Sequence, residues 1–424
     1  MTSGAGKHRS GQVQQLTQKV CHSAGNAENP AVSELTHIIQ AEMAELGPMS
    51  FARFMELALY HPGLGYYESG RKQVGFQGDF YTSVSTGELF GQLLAFRFAK
   101  WLEALPGAGE EWWLIEAGAH DGQLARDILG WLRGKRPELY DRLRYGIVDP
   151  SRDRQGWQRE KLAEFGERVK WFDSLAAIAS TSAAAPLPAP PFHEGAAVRL
   201  VDGRQPPAKA TGRIQGIIFS NELLDAMPVQ RLGWDAALQK WFEWGVNWDG
   251  GKFAWSKLTG GNAAALSQIN LPGELLAVLP DGYIIEASPA AEAWWREAAG
   301  VLQQGKLLAI DYGFTQAEMI SPARTNGTLR AYYRHRYGDD LLASPGEQDL
   351  TAHVNFSAIQ TAGERASLTT DGYLTQPQFL TGILGEAVTD PSFGEWTARR
   401  TRQFQTLTHP QHLGRSFKVL VQGR

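Results

Sequence analysis

The feature that most limits the fold of this chain is a regular alternation of short apolar segments with helical ones. Amphipathic stretches separate the apolar segments, and one of these stretches is the helix expected over Pro289–Gln303. Alternation of this kind predicts an α/β fold in which parallel strands are joined by helical crossovers. A further strand is expected over Ser416–Gln422, after two helical stretches. The expected parallel strands are Trp113–Glu116, Tyr145–Asp149, Arg168–Phe172, Gly216–Ser220 and Lys306–Asp311.

The remaining parts of the chain predict a simple domain order. Residues 1–32 are polar and weakly patterned, which predicts a disordered tail. Residues 33–95 form an N-terminal segment with helical spacing, and residues 96–424 carry the Rossmann-like alternation. Two insertions interrupt the alternation, at about 179–212 and 231–280. The first is rich in Ala, Pro and Ser and reads as a loop, whereas the second has short alternating runs that predict a β-rich excursion.

The net charge and the cysteine content limit which classes of binding partner and which cell compartment we expect for this chain. A formal net charge of −4 gives no general field for nucleic acid or an anionic membrane, so neither is expected as a partner. The one cysteine favours a reducing compartment, and no cysteine–histidine cluster has the spacing of a metal site. We expect a cytoplasmic location. The mitochondrial matrix is the alternative, because basic residues precede the first acid as in a transit peptide.

A glycine-containing turn follows the first expected strand and opens a helix. Its residues Glu116, Gly118, His120 and Gly122 lack the G-x-G-x-x-G spacing of dinucleotide folds, and Asp149 lies 149 − 122 = 27 residues past the last glycine rather than about 20. The E-x-G-x-x-x-G pattern is typical of the nucleoside-binding turn of Rossmann-like methyltransferases, with the ribose hydroxyls on the acid of the next strand. A tight strand–helix turn without a ligand explains the pattern equally well.

Four longer blocks make the resemblance specific, and they occur in the order 47–67, 78–91, 221–229 and 327–349. Together they closely resemble the MidA-like family of methyltransferases, which includes a mitochondrial complex I assembly factor. The resemblance covers about residues 33 to 424. It implies a class I methyltransferase fold and S-adenosyl-L-methionine as cofactor. It also implies a protein substrate, with symmetric dimethylarginine formed on a respiratory complex I subunit. His120 and Asp121 stand where the family has glycine and arginine.

Three residues after the fourth expected strand are the candidate catalytic residues. Asn221, Glu222 and Asp225 follow a strand whose carboxyl end faces the ligand side of a parallel sheet. A guanidinium needs a carboxylate to hold it and to accept a proton late in methyl transfer. We assign Glu222 as the guanidinium clamp and Asp225 as its support, because a helical turn would place the two on one face. A local cap or ion pair is the alternative role for Asp225.

Five further residues are assigned to the cofactor, mostly by resemblance. The segment that contains Asp79, Tyr81 and Thr82 resembles the part of the family that covers the cofactor. Asp79 would then meet the methionine amino group, and Tyr81 would pack on the sulfonium. Trp171 and Phe172 follow the third strand, where an adenine commonly stacks. Core packing is the alternative for both Tyr81 and Trp171.

Three functions therefore stay open from the sequence. The first is methylation of arginine on a protein, and the second is methylation of a small molecule or carboxylate with the same cofactor. The third is an assembly factor with weakened catalysis, which rests on the departures at His120 and Asp121. The oligomeric state cannot be read from the sequence.

Overall fold

A computed structural model of the chain describes residues 33–69, 82–106, 111–181, 213–259, 265, 269, 271–333, 336–414 and 416–424. The predicted tail over 1–32 and nearly all of the predicted loop over 179–212 lie outside these residues, as do Asp79 and Tyr81.

The centre of the fold is a seven-stranded sheet with the order β15-β16-β10-β5-β2-β3-β4, and β14 adds to the end of β10. Neighbouring strands from β10 to β4 are parallel, whereas β16 is antiparallel to both β10 and β15. Its strands are β2 (Trp112–Ala117), β3 (Leu143–Val148), β4 (Val169–Phe172), β5 (Ile214–Asn221), β10 (Leu302–Phe314), β14 (Val354–Asn355), β15 (Thr369–Thr375) and β16 (Phe417–Gly423).

This sheet confirms the α/β prediction. All five expected parallel strands form, and the expected last strand is β16. The antiparallel edge strand β15 is an addition that the apolar pattern did not indicate. Strand order reverses between β2 and β5, which are neighbours although β3 and β4 separate them in sequence. Such a reversal opens a crevice at the carboxyl ends of the strands, and ligands of α/β proteins bind in this crevice.

Helices cover both faces of the sheet. One apolar layer packs α3, α4, α5, α12 and α13 on one face, and another packs α7, α9 and α11 on the other. The helices are α1 (Glu34–Leu46), α2 (Phe51–Tyr60), α3 (Leu89–Glu103), α4 (Gln123–Lys135), α5 (Pro137–Asp141), α6 (Arg152–Lys161), α7 (Leu175–Thr181), α8 (Gly273–Leu276), α9 (Pro289–Val301), α10 (Gln316–Met319), α11 (Phe356–Arg365), α12 (Gln376–Ala387) and α13 (Ala398–Thr408). Short 3₁₀ turns span Val84–Thr86, Ala163–Arg168, Pro322–Arg324 and Pro391–Phe393.

Two smaller sheets account for the rest. Strands β1, β7, β6 and β9 form an antiparallel sheet with β8 paired to β7, and β12, β11 and β13 form a second. The first of these sheets confirms the β-rich excursion. Their strands are β1 (Met49–Ser50), β6 (Gln230–Asp235), β7 (Lys240–Asp249), β8 (Lys252–Lys257), β9 (Ile284–Ala287), β11 (Arg330–Tyr333), β12 (Arg336–Gly338) and β13 (Asp349–Thr351).

The N-terminal helices are joined to these small sheets by their own apolar cluster. Ser50 accepts the Arg53 amide and so begins α2, and the buried face of α2 packs toward β7 and β13. Helix α3 crosses residue 95 without interruption, so the domain boundary that we propose there lies within a continuous helix. A boundary before Leu89 would respect the observed helix.

Within the described segments, no helix combines the length and apolar character that crossing a bilayer requires. Nor do those segments bring together three or more His, Cys, Asp or Glu residues in a way that could hold a metal ion.

Candidate active site

The turn between β2 and α4 has the backbone geometry that its glycines predict. Gly118 and Gly122 have φ values of +74° and +84°, in the left-handed region that glycine adopts at little cost. A Cβ added at Gly118 would lie 3.0 Å from the Leu223 Cδ1. The first glycine therefore lets the turn pack closely against the segment after β5, which carries the candidate catalytic residues.

His120 occupies the middle of this turn with φ +46°, a conformation that side-chain-bearing residues adopt less readily. Its Nδ1 lies 3.8 Å from the Asp121 carboxylate, and its ring centroid lies 6.4 Å from that of Trp157. The atoms nearest to a Cβ at Gly118 belong to Leu223, and those nearest to one at Gly122 do not belong to His120 either. Other residues therefore lie against the Cβ positions of both glycines, and the imidazole lies beside Asp121.

Asp149 stands at the end of β3 and is 2% exposed. Its Oδ1 accepts the Ser151 amide at 3.0 Å, and its Oδ2 accepts the Gln158 Nε2 at 2.9 Å. The Arg154 Nε lies 3.0 Å from both oxygens, and the Arg154 Nη2 lies 2.9 Å from Oδ1. The predicted ribose acceptor therefore lies at the expected strand end, but protein donors fill its lone pairs.

Gln158 on α6 joins three of the predicted cofactor residues. Its Nε2 donates to the His120 carbonyl at 2.8 Å as well as to Asp149, and its Oε1 accepts the Trp171 Nε1 at 3.1 Å. The side chain is fully buried. One amide thus fixes the turn, the acid and the indole relative to one another, although the sequence did not indicate this residue.

Glu116 lies beneath the turn rather than at its surface. It is 2% exposed and accepts the Tyr145 hydroxyl at 2.6 Å. Burial raises the pKa of Glu116 to about 8, so the carboxyl is mainly protonated at neutral pH. This geometry supports the turn from below, and a direct contact between Glu116 and the cofactor stays a prediction.

The two aromatic residues after the third strand differ in position. Trp171 is half-buried, and the Arg159 guanidinium lies 4.1 Å from the centroid of its ring. Phe172 is buried in the opposite apolar layer, with its ring centroid 6.0 Å from that of Trp113. Phe172 therefore packs in that layer, whereas Trp171 lies on the side that faces Gln158. The assignment of both residues to the adenine stays a prediction.

The segment after β5 is a bend, not the helical turn that we expected. Glu222 has φ +53°, and no helix includes residues 221–227. Asp311, at the carboxyl end of the neighbouring β10, shapes the bend, because its Oδ2 accepts the Leu223 amide at 3.1 Å and the Leu224 amide at 2.8 Å. The bend turns Glu222 back toward the mouth of the crevice.

Glu222 is half-buried and held by weak donors. The Asn221 Nδ2 lies 3.1 Å from its Oε1, the Ser83 amide lies 3.4 Å from the same oxygen, and the Tyr312 hydroxyl lies 3.4 Å from its Oε2. Burial, followed by the charge of Asp311, raises the pKa of Glu222 to about 7. The carboxyl is therefore divided between its two protonation states near neutral pH.

Three carboxyl groups lie close together around this bend: Glu222, Asp225 and Asp311. Asp225 is 6% exposed and Asp311 is fully buried. Burial raises the pKa of both, and for Asp225 the charges of Asp311, Asp349 and Glu222 add to the effect. Within the part of the chain that the structure describes, none of the three makes an ion pair. We call these three residues the acid cluster.

Asn221 adds an unsatisfied acceptor beside the acid cluster. Its Oδ1 is buried and has no hydrogen-bond partner among the described residues, although its Nδ2 donates to Glu222. Buried polar atoms are almost always satisfied, so an orphaned oxygen here indicates that a donor is supplied by a ligand or by water.

The segment before α3 also reaches the site. Thr82 caps the turn over Val84–Thr86 by reciprocal bonds with Ser85, and the next amide, of Ser83, points at Glu222. Thr82 therefore lies near the acid cluster, because the amide of the next residue, Ser83, contacts Glu222. Its predicted companions Asp79 and Tyr81 lie outside the described residues, so their roles stay predictions.

Several residues of the site had no role in the sequence interpretation. Asp311 carried a usable signal, because it ends an expected strand beside the one that ends at Asn221. Arg154 and Gln158 carried none, because α6 has no apolar stripe that would mark its inward face. Tyr67 donates to Asp349 at 2.8 Å across 282 positions of sequence, a contact that only the tertiary fold creates.

Comparison with known proteins agrees with this geometry. A model of S-adenosyl-L-methionine-dependent methyltransferases matches residues 93–374. The chain is 26% identical to the mitochondrial protein arginine methyltransferase NDUFAF7 of Rattus norvegicus, over 96% of this chain and 88% of that protein. It is 26% identical to the Homo sapiens protein of the same name, over 94% of this chain and 86% of that protein.

A solved structure extends the similarity to three dimensions. A protein of Burkholderia thailandensis, crystallised with bound S-adenosyl-homocysteine, is 32% identical and superposes with a TM-score of 0.71 over 92% of both chains. The class I methyltransferase fold that the resemblance implied is thereby confirmed. The chain belongs to the MidA-like family of methyltransferases, and S-adenosyl-L-methionine is its cofactor.

Proposed function

We propose that this methyltransferase transfers a methyl group to an arginine side chain of a protein partner. The observation that carries the proposal is the acid cluster, which makes no ion pair among the described residues and lies beside the orphaned Oδ1 of Asn221. Buried carboxyl groups without a counter-charge raise one another's pKa, and a cation that enters the cluster relieves this repulsion. A guanidinium brings both the positive charge and several N–H donors in one plane.

The residues around the glycine turn fit the cofactor. A nucleoside needs close approach to the backbone, and Gly118 and Gly122 give the turn the left-handed conformation that such an approach uses. Asp149 would hold the ribose once it has an acceptor position available, and Thr82 would stand near the methionine end. When bound, S-adenosyl-L-methionine supplies an electrophilic methyl group on its sulfonium.

Glu222 is the residue that we assign to hold the guanidinium and to accept its proton. Its pKa of about 7 makes the carboxylate available at neutral pH and basic enough to take a proton as the new N–C bond forms. Burial, followed by the charges of Asp311 and Asp349, raises the pKa of Asp225 well above its usual range, and we assign Asp225 as the residue that supports Glu222. The Asn221 Oδ1 offers an acceptor for a second guanidinium N–H.

The same charges argue against the other candidate functions. A carboxylate substrate would find no cation in the acid cluster, because none of its three members has an ion-pair partner among the described residues, and it would add a further buried negative charge. The turn accommodates His120 in place of the family's glycine, because His120 adopts the left-handed backbone conformation and its ring lies beside Asp121. This substitution therefore gives little support to a loss of catalysis.

The partner follows by analogy with the relatives. The curated relatives are named protein arginine methyltransferases and mitochondrial, which supports a protein substrate for this chain. We extend the proposal to symmetric dimethylarginine on a subunit of a respiratory complex, in keeping with the family resemblance. A cytoplasmic location is proposed if the source cell is bacterial, and the mitochondrial matrix otherwise.

The test uses the full chain, a cell extract and cofactor that carries a labelled methyl group. Label should enter a polypeptide and should be recovered as methylarginine after acid hydrolysis, and the symmetric and asymmetric forms separate by chromatography. Glu222→Gln should abolish the labelling while it retains cofactor binding in calorimetry. Label found only in low-molecular-weight products, or in methyl esters, would refute the arginine proposal.

A further inference from the structure

The carboxylate of Asp149 has no acceptor position left for a ribose. A carboxylate offers about four lone-pair sites, and Asp149 already faces the Ser151 amide, the Gln158 amide group and two nitrogens of Arg154. It is also almost completely buried. Two ribose hydroxyls can bond to it only if one of these donors moves away.

Arg154 is the donor that can move. The Ser151 amide belongs to the backbone at the start of α6, and the Gln158 side chain is fixed by two further hydrogen bonds, to His120 and Trp171. The Arg154 guanidinium instead has other partners within reach, because its Nη1 donates to the Tyr67 carbonyl at 2.7 Å and its Nη2 lies 3.2 Å from the Glu68 carboxylate. It can leave Asp149 and keep a negatively charged partner.

We propose that Arg154 is a resident counter-ion of Asp149 that the ribose hydroxyls of the cofactor replace, while Arg154 keeps its pair with Glu68. This inference rests on the proposed role of Asp149. Arg154 thereby limits cofactor affinity, and it connects the ribose site to residues 67–68 of the N-terminal segment. The exchange breaks no covalent bond and moves no proton, because the Arg154 guanidinium keeps its positive charge whether or not it contacts Asp149.

The size of the effect follows from population arithmetic. A cofactor that binds only when Asp149 is free has an apparent Kd equal to the intrinsic value divided by the fraction of molecules in the free state. Taking the free state as about one molecule in ten, we expect removal of the guanidinium to tighten binding about tenfold.

The experiment compares variants of the full chain by calorimetry with S-adenosylhomocysteine. Arg154→Met should bind about tenfold tighter than the wild type, while the cofactor-free protein melts at a lower temperature because Asp149 has lost its charge partner. Arg133→Met, which removes an arginine from an exposed pair with Glu164, should leave both quantities unchanged. Equal or weaker binding by Arg154→Met would overturn the inference.

The variant Asp149→Asn separates the exchange of Arg154 from the proposed ribose role of Asp149. If both Asp149→Asn and Arg154→Met bind S-adenosylhomocysteine weakly, Asp149 is still the ribose residue and Arg154 is a fixed support for it. That result overturns the exchange of Arg154 but not the ribose assignment. Wild-type binding by Asp149→Asn would overturn both the ribose assignment and the exchange.

A measurement on the wild type covers the case in which Arg154→Met does not fold. The ¹⁵Nε–H signal of the Arg154 guanidinium, assigned by its absence from Arg154→Lys, should shift and lose protection from solvent exchange when S-adenosylhomocysteine is added. A signal that keeps its position and its protection at saturating ligand would overturn the exchange.

Discussion

Replacing Gln158 by leucine tests whether one amide holds the cofactor site together. The change keeps a side chain of similar size but removes two donated bonds, to the His120 carbonyl and to Asp149, and one accepted bond, from Trp171. A net hydrogen bond between neutral groups contributes about 0.5–1.5 kcal/mol, and one to a charged group about 1.5–3 kcal/mol. The free energy of unfolding should therefore fall by about 2.5–6 kcal/mol, measured by urea denaturation.

Cofactor affinity should fall with it, for a separate reason. Without Gln158 the turn and the ribose acid are no longer tied to the same amide, so part of the binding free energy is used to reposition them. A loss of about 1.4 kcal/mol or more corresponds to a Kd at least about tenfold weaker, measured by calorimetry at a temperature where the variant is fully folded.

Gln155→Leu is the matched control on the same helix. Gln155 is also buried, but its amide donates to the Asp149 backbone carbonyl and to the Asp173 carboxylate rather than to the carboxylate of Asp149. This variant should lose stability while its Kd changes less than about threefold. If Gln158→Leu lost stability but bound the cofactor like the wild type, Gln158 would be a structural residue only and our reasoning about the site would be wrong.

Three further predictions concern the turn and its acids. Gly118→Val should abolish cofactor binding in calorimetry, because a side chain at φ +74° is strained by about 1–2 kcal/mol and the new Cβ would contact Leu223. The control Gly130→Val should bind the cofactor normally, because no atom lies within 4 Å of a Cβ at that position in α4. The logarithm of kcat/KM should rise with pH through about 7, as the Glu222 carboxyl with its raised pKa ionises, and a Glu222→Gln profile that kept this rise would contradict the assignment. The pKa of Glu116 rises to about 8 on folding, so the folded state binds a proton that the unfolded state releases, and the free energy of unfolding should fall as the pH rises from 5 to 8. Glu116→Gln should flatten this pH dependence in chemical denaturation. An unchanged pH dependence in that variant would contradict the raised pKa of Glu116.

The sheet was predictable because its signal is local. Each parallel strand is an apolar run bounded by turns, and burial on both faces leaves little choice of residue type. Strand β15 was missed for the same reason, since Thr369–Thr375 is mostly half-buried and its pattern is mixed. The bend at Glu222 was also out of reach, because its left-handed backbone is stabilised by Asp311, a residue 89 positions later (311 − 222).

Helix α6 shows where sequence patterning stops being informative. Its one large apolar residue is Trp157, so no apolar stripe marks the face that turns inward, yet Arg154, Gln155 and Gln158 are all buried. Polar side chains can be buried only when hydrogen bonds replace those with water, and each of these three residues donates to Asp149, at the end of β3. The inward face of such a helix becomes predictable only after its partner, Asp149, has been placed.

The two groups of acids at the carboxyl ends of the strands differ in how their charge is balanced. Asp149 has its own cation in Arg154, so an uncharged diol can bind there only by displacing that cation. The acid cluster makes no ion pair with any described residue, and its members raise one another's pKa. A ligand that carries a cation is therefore favoured at the cluster and disfavoured at Asp149. This contrast in charge, more than the shape of the crevice, separates the place for a nucleoside from the place for a guanidinium.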